Sequence, residues 1–289
     1  MSKNLQETTN IKTGMGPAID LEAYFNRIGF HGIVNPTLET LKAIILKHTA
    51  AIPFENLNPL LRLPVKLDEE SLQQKIVFDK RGGYCFEQNL LFSHVLRAVG
   101  YEVSWLSARV LWNRPEGVVS PRTHMLLLVN LDGERFITDV GFGGLTLTGL
   151  LKLNTGEKQA TPHEYFRLTE DGQKYILEAN VQNEWKAMFC FSLQEQLLPD
   201  YEATSWYLCN HPQSHFIKTL RAARSEPGYR YALNNNEFAV HQLNGTTERK
   251  TLSTAEEVMK VLEDVFLIKL PDFPGLKQAI ERVMMQENR

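Results

Sequence analysis

Apolar residues in the first hundred positions recur at the spacing of amphipathic α-helices. In LETLKAIILKHTAAI, residues 38–52, they fall on one helical face. Asp20 and Asp68 stand where an aspartate caps a helix, ahead of LEAYFNRI and EESLQQKIVFDK. A further helix is predicted from about residue 86 to 99, where a glycine follows. The pattern predicts a helix-rich unit over residues 1–100, of which roughly the first 18 are expected to be flexible.

The pattern changes to that of β-strands at Tyr101. EVSWLSARVLW is rich in apolar and β-branched residues, and HMLLLVNL and ERFITDVGF flank Asp132-Gly133, a dipeptide typical of a hairpin turn. EYFRLTED and KYILEANVQNEWKAMFCF supply further strands around Gly172. These segments predict an antiparallel barrel or sandwich over about residues 101–195.

The last third of the chain mixes both patterns. SWYLCNHPQSHFIKTLRAAR resembles a helix, and short strands are predicted around residues 229–240. Thr254 precedes AEEVMKVLEDVF as a helix cap, and a final helix is predicted from Pro274 to the C-terminus. We therefore expect a helical linker over 205–228 and an α/β unit over 229–289.

Composition restricts the class of protein. Of 289 residues, 43% are hydrophobic, so the chain can bury the cores of two or three subdomains. The net charge is -3 with both signs mixed, which argues against a nucleic-acid binder. The N-terminus lacks an apolar signal segment, and no run of about 18 apolar residues predicts a membrane span. Three widely spaced cysteines differ from a secreted disulfide framework, so we expect a cytoplasmic protein without nucleic-acid or membrane partners.

The motif RGGYCFEQN, residues 81–89, contains the first candidate for chemistry. Its cysteine, Cys85, follows two glycines and begins a predicted helix. A cysteine on an apolar helix is most often a small buried packing residue, and it is also a potential metal ligand. A helix N-terminus, however, carries unpaired N–H groups and the positive end of the helix dipole, which favour a thiolate and can bind an oxyanion. The position therefore makes Cys85 a candidate nucleophile.

A thiolate nucleophile requires a base and a group that orients the base. His124 opens the apolar strand HMLLLV, and Asp139 ends the following strand. A two-residue turn at 132 and 133 would pair 131 with 134, so that His124 faces position 141, two residues from Asp139. This register predicts that the two side chains come close. Seven other histidines compete for the role of base: His31, His48, His94, His163, His211, His215 and His241.

A metal site is the competing interpretation of the other cysteines. Cys209, His211 and His215 form a C-x-H-x3-H pattern, with Cys190 upstream. Zinc sites usually combine one close pair of Cys or His ligands with a second pair. The second pair is missing from the sequence, so we expect no bound metal and an ordinary helix face instead.

Three segments together resemble a known family. RGGYCFEQN, RTHMLLLV and DVGFGG are similar in residues and spacing to signatures of the arylamine N-acetyltransferases, and PFENLN and YFNRIG are further matches. The resemblance is strong over about residues 20–145 and continues weakly through SWYLCNHPQSHF. It implies an α+β fold with a cysteine-protease-like Cys-His-Asp core. The implied units are an N-terminal helical bundle with the nucleophile (1–100), a central antiparallel β-barrel with the histidine and aspartate (101–204), a helical linker (205–228) and a C-terminal α/β lid (229–289).

The same resemblance implies a ping-pong acetyl transfer. The thiolate of Cys85 would attack acetyl-coenzyme A, form an acetyl-cysteine and release coenzyme A. The nitrogen of an arylamine, arylhydrazine or N-hydroxyarylamine would then take the acetyl group. His124 would pair with the thiolate and manage the proton in both half-reactions, while Asp139 would orient and stabilise the imidazolium. The role implied for such an enzyme is xenobiotic metabolism.

Further positions match the family one at a time. The implied acceptor pocket is lined by Phe54, Val110 and Phe142. The implied contacts with coenzyme A are Ser120, Thr123, Gly141, Gly143 and Gly144. The glycine-rich turn alone is a weak signal, because it lacks the Lys-Ser/Thr of a Walker loop. Arg81, with Glu55 and Asn58, matches a structural cluster behind the nucleophile loop.

Other functions are compatible with these residues. Cys-His-Asp groups also serve thiol proteases and transglutaminases, and relatives of the family act as amide synthases. A related acyltransferase or amide synthase with a different acyl donor is therefore the alternative. A non-catalytic binding protein would not require all three residues. The physiological acceptor stays open, as does the choice between a monomer and a homodimer.

Overall fold

The computed structural model describes residues 19–115, 117–243 and 245–285; the segment expected to be flexible, residues 1–18, lies outside them. In these ranges the α-helices are α1 (Leu21–Ile28), α2 (Leu38–Ala51), α3 (Leu57–Leu60), α4 (Glu69–Gln73), α5 (Cys85–Val99), α6 (Leu198–Asn210), α7 (Ala255–Asp264) and α8 (Leu276–Met284). The chain also forms a short strand, β1 (Phe54–Glu55), a π-helical segment (Gln74–Phe78) and a 3₁₀ turn (His215–Ile217). None of the described helices is long and apolar enough to cross a membrane.

Capping residues fix the ends of the early helices, as predicted. Asp20 Oδ1 accepts the Ala23 N–H at 2.9 Å, and Asp68 Oδ1 accepts the Ser71 N–H at 2.9 Å. α1 ends at Gly29, whose φ of 64° is the left-handed conformation that glycine adopts without strain. The helix boundaries in this part of the chain therefore follow from local side-chain chemistry.

The middle of the chain forms an antiparallel barrel-like sheet. Its strands are β2 (Glu102–Val110), β3 (Arg122–Leu131), β4 (Glu134–Thr138), β5 (Leu151–Lys152), β6 (Gln159–Ala160), β7 (Tyr165–Asp171), β8 (Lys174–Val181) and β9 (Glu184–Glu195), in the spatial order β5-β4-β3-β2-β9-β8-β7-β6. Gln159 of one edge strand accepts from Lys152 N at 2.8 Å and donates to Lys152 O at 3.0 Å on the other edge. These bonds bring the two edges together, so the barrel is nearly closed and the α+β class is confirmed.

A second antiparallel sheet forms the lid. Its C-terminal strands are β10 (Arg221–Glu226), β11 (Tyr229–Asn234), β12 (Glu237–Gln242) and β13 (Thr247–Thr251), in chain order. The N-terminal strand β1 completes this sheet, because Phe54 pairs with Ala223 and Glu55 with Ala222 of β10. Phe54 also forms a parallel bridge with Gly83. The lid is thus joined by backbone bonds to the loop that precedes Cys85.

The predicted helical linker over 205–228 is wrong in part. α6 begins earlier, at Leu198, and ends at Asn210. Pro212 disfavours a helical conformation at the residue before it, and His211 accordingly has φ -66° and ψ 132°. After the 3₁₀ turn, the chain enters strand β10 instead of continuing as a helix. The division into four domains stays a prediction.

The helix α5, which begins at Cys85, lies where the helical bundle meets the barrel. Leu90, Leu91 and Val95 of α5 are fully buried in one core with Ile44 of α2 and Met125 of β3. Burying an aliphatic side chain contributes about 1.5–3 kcal/mol, so this shared core holds α5 against both units. The start of α5 is therefore fixed relative to the barrel strands.

Candidate active site

Cys85 is the first residue of α5 and is 4% exposed. The preceding loop passes close to other backbone, since a Cβ on Gly82 would lie 2.1 Å from the Pro53 carbonyl oxygen. Glu87 Oε2 accepts the Tyr84 N–H at 3.1 Å and so closes the first turn of the helix. The sulfur is thereby held at the positive end of the helix dipole, as the motif predicts.

His124 and Asp139 meet through the predicted hairpin register. The β3–β4 pairing runs from Leu131 opposite Glu134 to Leu127 opposite Thr138, and Asp139 is the next residue of the chain. His124 Nε2 lies 2.7 Å from Asp139 Oδ2, and both side chains are buried. Because the chain leaves the ladder after Thr138, the carboxylate can cross to the histidine.

The second oxygen of Asp139 is fixed as well. Oδ1 accepts the Asn89 side-chain N–H at 2.9 Å and the Gly141 N–H at 2.8 Å. Asn89 also donates to the Met125 carbonyl oxygen at 2.9 Å. No role follows for Asn89 from the sequence interpretation, although its position four residues after Cys85 places it on the same helix face. Asn89 therefore ties helix α5 to the Asp139 carboxylate.

The ionisation of His124 depends on its two neighbours. Burial by itself lowers the pKa of the ring, but the Asp139 carboxylate and the Cys85 sulfur outweigh burial and raise the pKa to about 10. Since Nε2 faces Asp139, Nδ1 is the nitrogen that is left for a hydrogen bond with Cys85. The ring is therefore an imidazolium at neutral pH and can give or take a proton beside the sulfur.

Aromatic side chains surround the His124 ring. The Phe142 ring meets it edge-on with 5.1 Å between centroids, and the Phe189 ring lies at 4.9 Å. Val110 of β2 pairs with Phe189 of β9. The structure thus places Phe142 and Val110, two predicted pocket residues, close to the histidine. Phe189 adds a lining residue that no sequence motif indicates.

Phe54 reaches the same region from the lid sheet. A Cβ on Gly143 would lie 3.5 Å from the Phe54 ring, which also contacts the Phe216 ring at 6.2 Å between centroids. The Phe216 ring in turn contacts that of Tyr84, the residue before Cys85, at 5.4 Å. The third predicted pocket residue is therefore near the nucleophile loop, and Phe216 is a second lining residue that sequence reasoning missed.

The glycines of the turn at 141–144 have different surroundings. A Cβ on Gly141 would lie 2.7 Å from the Cα of Cys85, so the close approach of Gly141 is to the first residue of α5. Gly143 has a φ of 96°, which favours glycine. Among the described residues outside the adjacent chain, no atom lies within 4 Å of a Cβ placed on Gly144. Gly144 therefore faces open space, whereas Gly143 lies against the Phe54 ring and Gly141 packs against Cys85.

The two predicted hydroxyl contacts lie at the start of the barrel strand β3, Ser120 just before it and Thr123 as its second residue. Ser120 is buried, and its Oγ donates to the Val110 carbonyl oxygen at 2.9 Å. Thr123 presents its backbone to Cys85, whose Sγ lies 3.7 Å from the Thr123 carbonyl oxygen. Both residues are therefore near the site, and their contact with coenzyme A stays a prediction.

A second charged cluster lies behind the nucleophile loop. Arg81 donates from Nε and Nη2 to Glu55 Oε1, at 3.0 and 2.7 Å, and from Nη2 to Asn58 Oδ1 at 3.0 Å. Lys75 Nζ lies 3.7 Å from Glu55 Oε1 and 2.6 Å from Glu87 Oε1. Burial alone would raise the pKa of Glu55, but Arg81 and Lys75 outweigh burial and lower the pKa to about 2. These contacts match the predicted supporting cluster around Arg81.

The residues of the zinc alternative bond to other groups. Cys209 Sγ lies 4.0 Å from both Tyr84 Oη and Ser205 Oγ, and His211 Nδ1 accepts the Gln213 N–H at 3.2 Å. In the described ranges, no three His, Cys, Asp or Glu side chains are grouped in a way that could hold a metal ion.

Known proteins resemble the chain over most of its length. A family model described as N-acetyltransferase matches residues 37–273. The arylamine N-acetyltransferase of Mycolicibacterium smegmatis is 42% identical over 262 residues, covering 89% of this chain and 95% of that protein. This chain belongs to the arylamine N-acetyltransferase family. A Salmonella typhimurium relative, named arylamine N-acetyltransferase / N-hydroxyarylamine O-acetyltransferase, is 38% identical over 253 residues, covering 87% of this chain and 90% of that protein.

Solved structures of the family have the same fold. The arylamine N-acetyltransferase of Mycobacterium marinum superposes with a TM-score of 0.89 at 39% identity, covering 92% of this chain and 100% of that one. The same enzyme in complex with coenzyme A superposes with a TM-score of 0.88 at 38% identity, covering 91% of this chain and 99% of that one. The bundle, barrel and lid are thus the family architecture.

Proposed function

We propose that this chain is an arylamine N-acetyltransferase that carries the acetyl group of acetyl-coenzyme A on Cys85. The observation that carries the proposal is the arrangement of three side chains: Cys85 begins α5, and the His124 ring beside it is bonded to Asp139 at 2.7 Å. Membership of the family and the coenzyme A complex of a relative support acetyl-coenzyme A as the donor.

In the first half-reaction, the Cys85 thiolate attacks the thioester carbonyl carbon of acetyl-coenzyme A. The unpaired N–H groups in the first turn of α5 are suited to the developing oxyanion. The bond between the acetyl carbon and the coenzyme A sulfur then breaks, and the leaving sulfur takes the proton from Nδ1 of His124. The products are acetyl-Cys85, the coenzyme A thiol and a neutral His124, which Asp139 keeps oriented through Nε2.

In the second half-reaction, the amine nitrogen of the acceptor attacks the acetyl carbon. Neutral His124 accepts the proton that the nitrogen loses, because Nδ1 is then a free acceptor beside the sulfur. Cys85 leaves as a thiolate and the imidazolium–thiolate pair is restored. The Asp139 carboxylate, which stays bonded to the ring in the acetyl-enzyme, raises the pKa of His124 and so favours this return of the proton.

The proposed acceptor pocket is aromatic. Phe54, Val110 and Phe142 are the proposed lining residues, and Phe189 and Phe216 extend that surface. Aromatic side chains suit an arylamine or arylhydrazine because rings attract one another edge-to-face or offset-stacked. Ser120, Thr123, Gly143 and Gly144 are proposed contacts of coenzyme A. For Gly141 we propose a packing role against Cys85.

The cellular role follows from this chemistry. We propose that the enzyme acetylates foreign aromatic amines and hydrazines in the cytoplasm, as a monomer or a homodimer. The Salmonella relative's second name, N-hydroxyarylamine O-acetyltransferase, supports N-hydroxyarylamines as a further acceptor class.

Intact-protein mass spectrometry tests the proposal in one series. Mixed with acetyl-coenzyme A alone, the protein should gain one acetyl group, and Cys85→Ala should gain none. Addition of arylamines or hydrazines from a panel should discharge the acetyl group and yield the N-acetyl product in equal amount. If no acetyl group is gained while other acyl thioesters load the enzyme, the related acyltransferase or amide synthase becomes the better assignment.

A further inference from the structure

Arg230 on lid strand β11 is 3% exposed although it carries a charge. A guanidinium has five N–H donors, and here each has an acceptor. Nε and Nη2 donate to the two carboxylate oxygens of Glu164 at 2.7 and 2.5 Å, and Nη1 donates to Ser225 Oγ at 2.8 Å. Nη1 also donates to the Gly144 carbonyl oxygen at 3.3 Å, and Nη2 also donates to the Thr146 carbonyl oxygen at 3.0 Å. Such a fully engaged arginine holds its partners in one geometry.

The two carbonyl groups belong to the loop that follows Asp139. Thr146 Oγ1 donates to the Asp139 carbonyl oxygen at 3.0 Å and accepts the Phe142 N–H at 3.1 Å. Arg230 therefore bonds directly to the residue that holds both Asp139 and Phe142. Since Asp139 and Phe142 each contact the His124 ring, the position of this loop sets the position of that ring.

A second contact ties the same part of the lid to the barrel. His163 Nδ1 lies 2.9 Å from Thr148 Oγ1, and His163 Nε2 lies 2.9 Å from the carbonyl oxygen of Glu226. His163 adjoins Glu164, the ion-pair partner of Arg230. The start of strand β7 is thus fixed to both the loop and the lid hairpin, and the Glu164 carboxylate is a rigid anchor for Arg230.

We infer that Arg230 is a positioning residue for acetyl transfer. From the lid it fixes residues 142–146, and through them the geometry of the His124–Asp139 pair and of the Phe142 wall. The kinetic part of this inference rests on the proposed function. Its effect on the reactivity of the Cys85 sulfur does not, because alkylation of the sulfur requires neither an acetyl donor nor an acceptor.

The chain offers a matched control in Arg224 on the adjacent strand β10. The Arg224 side chain is 9% exposed and carries the same charge. It donates to the Val265 carbonyl oxygen at 2.7 Å, the Ala50 carbonyl oxygen at 2.9 Å and Glu226 Oε2 at 2.8 Å. None of these three partners belongs to the loop after Asp139, so Arg224→Met removes a buried lid arginine without releasing that loop.

The experiment compares Arg230→Met with Arg224→Met in the full chain. Thermal unfolding measures stability, and mass spectrometry measures the rate of Cys85 alkylation by iodoacetamide from pH 6 to 9 and the rates of acetyl loading and discharge. For Arg230→Met we expect alkylation at neutral pH to slow about fivefold and kcat to fall about tenfold, with a smaller change in KM, because a misplaced ring is less able to stabilise the thiolate. Arg224→Met should lower the melting temperature and leave both rates within about twofold.

Two further variants keep the comparison decisive if Arg230→Met does not fold. Arg230→Lys retains the charge and loses the paired N–H donors of the guanidinium, and Glu164→Gln retains the shape of the side chain and loses its charge. Each should slow alkylation and lower kcat to a smaller extent than Arg230→Met. Rates in the folded Arg230 and Glu164 variants equal to those of Arg224→Met would overturn the inference and leave Arg230 a residue of stability alone. If the unmodified chain gains no acetyl group, the proposed function fails, and the alkylation comparison still decides the role of Arg230.

Discussion

Two buried charged clusters flank the start of α5, and they differ in how completely their charges are paired. The front cluster consists of Cys85, His124 and Asp139. The rear cluster consists of Glu55, Lys75, Arg81 and Glu87. The rear cluster joins two cations to two carboxylates, with each contact at 3.7 Å or less. The front cluster places one histidine between the Asp139 carboxylate and the Cys85 sulfur, which is the proposed reactive atom.

The pKa values follow this difference. In the rear cluster, two cations hold the pKa of Glu55 at about 2, so the carboxylate is a permanent charge at any physiological pH. In the front cluster, the Asp139 carboxylate and the Cys85 sulfur outweigh burial and raise the pKa of His124 to about 10, so the ring favours its protonated form at neutral pH. A cluster with paired charges supports a loop, whereas a histidine held between a carboxylate and a sulfur is suited to transfer a proton.

Removing Cys85, the proposed nucleophile, should have the largest effect on acetyl transfer. Cys85→Ala should reduce arylamine acetylation by about 10⁴-fold or more, because the covalent intermediate cannot form. Acetylation is measured with a purified arylamine and acetyl-coenzyme A, and circular dichroism should show an unchanged fold. Cys209→Ala is the control, because Cys209 is also buried and should retain near-normal turnover. Substantial turnover by Cys85→Ala would contradict the assignment of the nucleophile.

Asp139→Asn should come second, with a loss on the order of 10²–10⁴-fold in kcat. The oxygen at the Oδ1 position would keep its bonds from Asn89 and Gly141, so the new NH₂ group would face His124 Nε2. Nε2 would then have to accept, and the proton would sit on Nδ1 of a neutral ring, where it cannot stabilise a thiolate. Acetyl loading followed by rapid quench measures the loss. Loading at the normal rate would show that Asp139 does not orient the histidine.

Arg81→Met breaks the rear cluster and should act on stability instead of chemistry. Leaving Glu55 buried with Lys75 as its remaining cation should cost about 3–5 kcal/mol in the free energy of unfolding. Urea denaturation measures this loss, and iodoacetamide alkylation of Cys85 at low temperature measures the chemistry of the folded fraction. A normal unfolding free energy with a strongly reduced alkylation rate would reverse the roles of the two clusters.

Acid should break the rear cluster selectively. The folded pKa of Glu55, about 2, lies below the ordinary value of 4.5, so its contribution to stability is complete above pH 4.5 and is lost as the pH falls towards 2. We expect a loss on the order of 2–3 kcal/mol over this range from Glu55 alone. The free energy of unfolding of Glu55→Gln, measured by urea at each pH, should depend less steeply on pH. An equal slope in the two proteins would contradict the pairing.

The stabilisation that the front cluster contributes should depend on pH in the opposite direction, so that it is lost in alkali. The folded pKa of His124, about 10, lies above the ordinary value of 6.5, so its stabilising effect is complete below pH 6.5 and is lost as the pH rises through 10. Ring ¹⁵N NMR of His124 should show an imidazolium at pH 8 and a neutral ring above 10. A ring that is neutral at pH 8 would remove the proposed ion pair.

The parts of the site that local patterns determine could be predicted from the sequence. The hairpin at Asp132-Gly133 fixes a register by its length, so His124 and Asp139 are placed by counting along two strands. The position of Cys85 at the start of a helix could be predicted from the glycines before it and the apolar run after it. The spacing of four residues between Cys85 and Asn89 predicts that they share a face of α5. The motif does not indicate that Asn89 would bond to Asp139.

The remaining parts depend on contacts between distant segments. Phe189, Phe216 and Arg230 reach the site from a barrel strand, a 3₁₀ turn and a lid strand, and no short pattern in the sequence states which strands become neighbours. The strand β1 has only two residues, and its partner β10 lies more than 160 positions away in the chain. The helical spacing of the residues before Pro212 predicted a continuous helix, and it gave no sign that the chain turns into strand β10 of the lid sheet.

Peptide mapping of the acetylated enzyme tests the central claim most directly. The protein is treated with acetyl-coenzyme A without acceptor, quenched at low pH, cleaved with a protease and sequenced by tandem mass spectrometry. Three cysteines compete, since Cys85, Cys190 and Cys209 are all free thiols. Acetyl on the peptide of Cys85 alone, lost when an arylamine is added before the quench, is the result that this account predicts. Acetyl on Cys190 or Cys209, or on Cys85 but stable to arylamines, would contradict it.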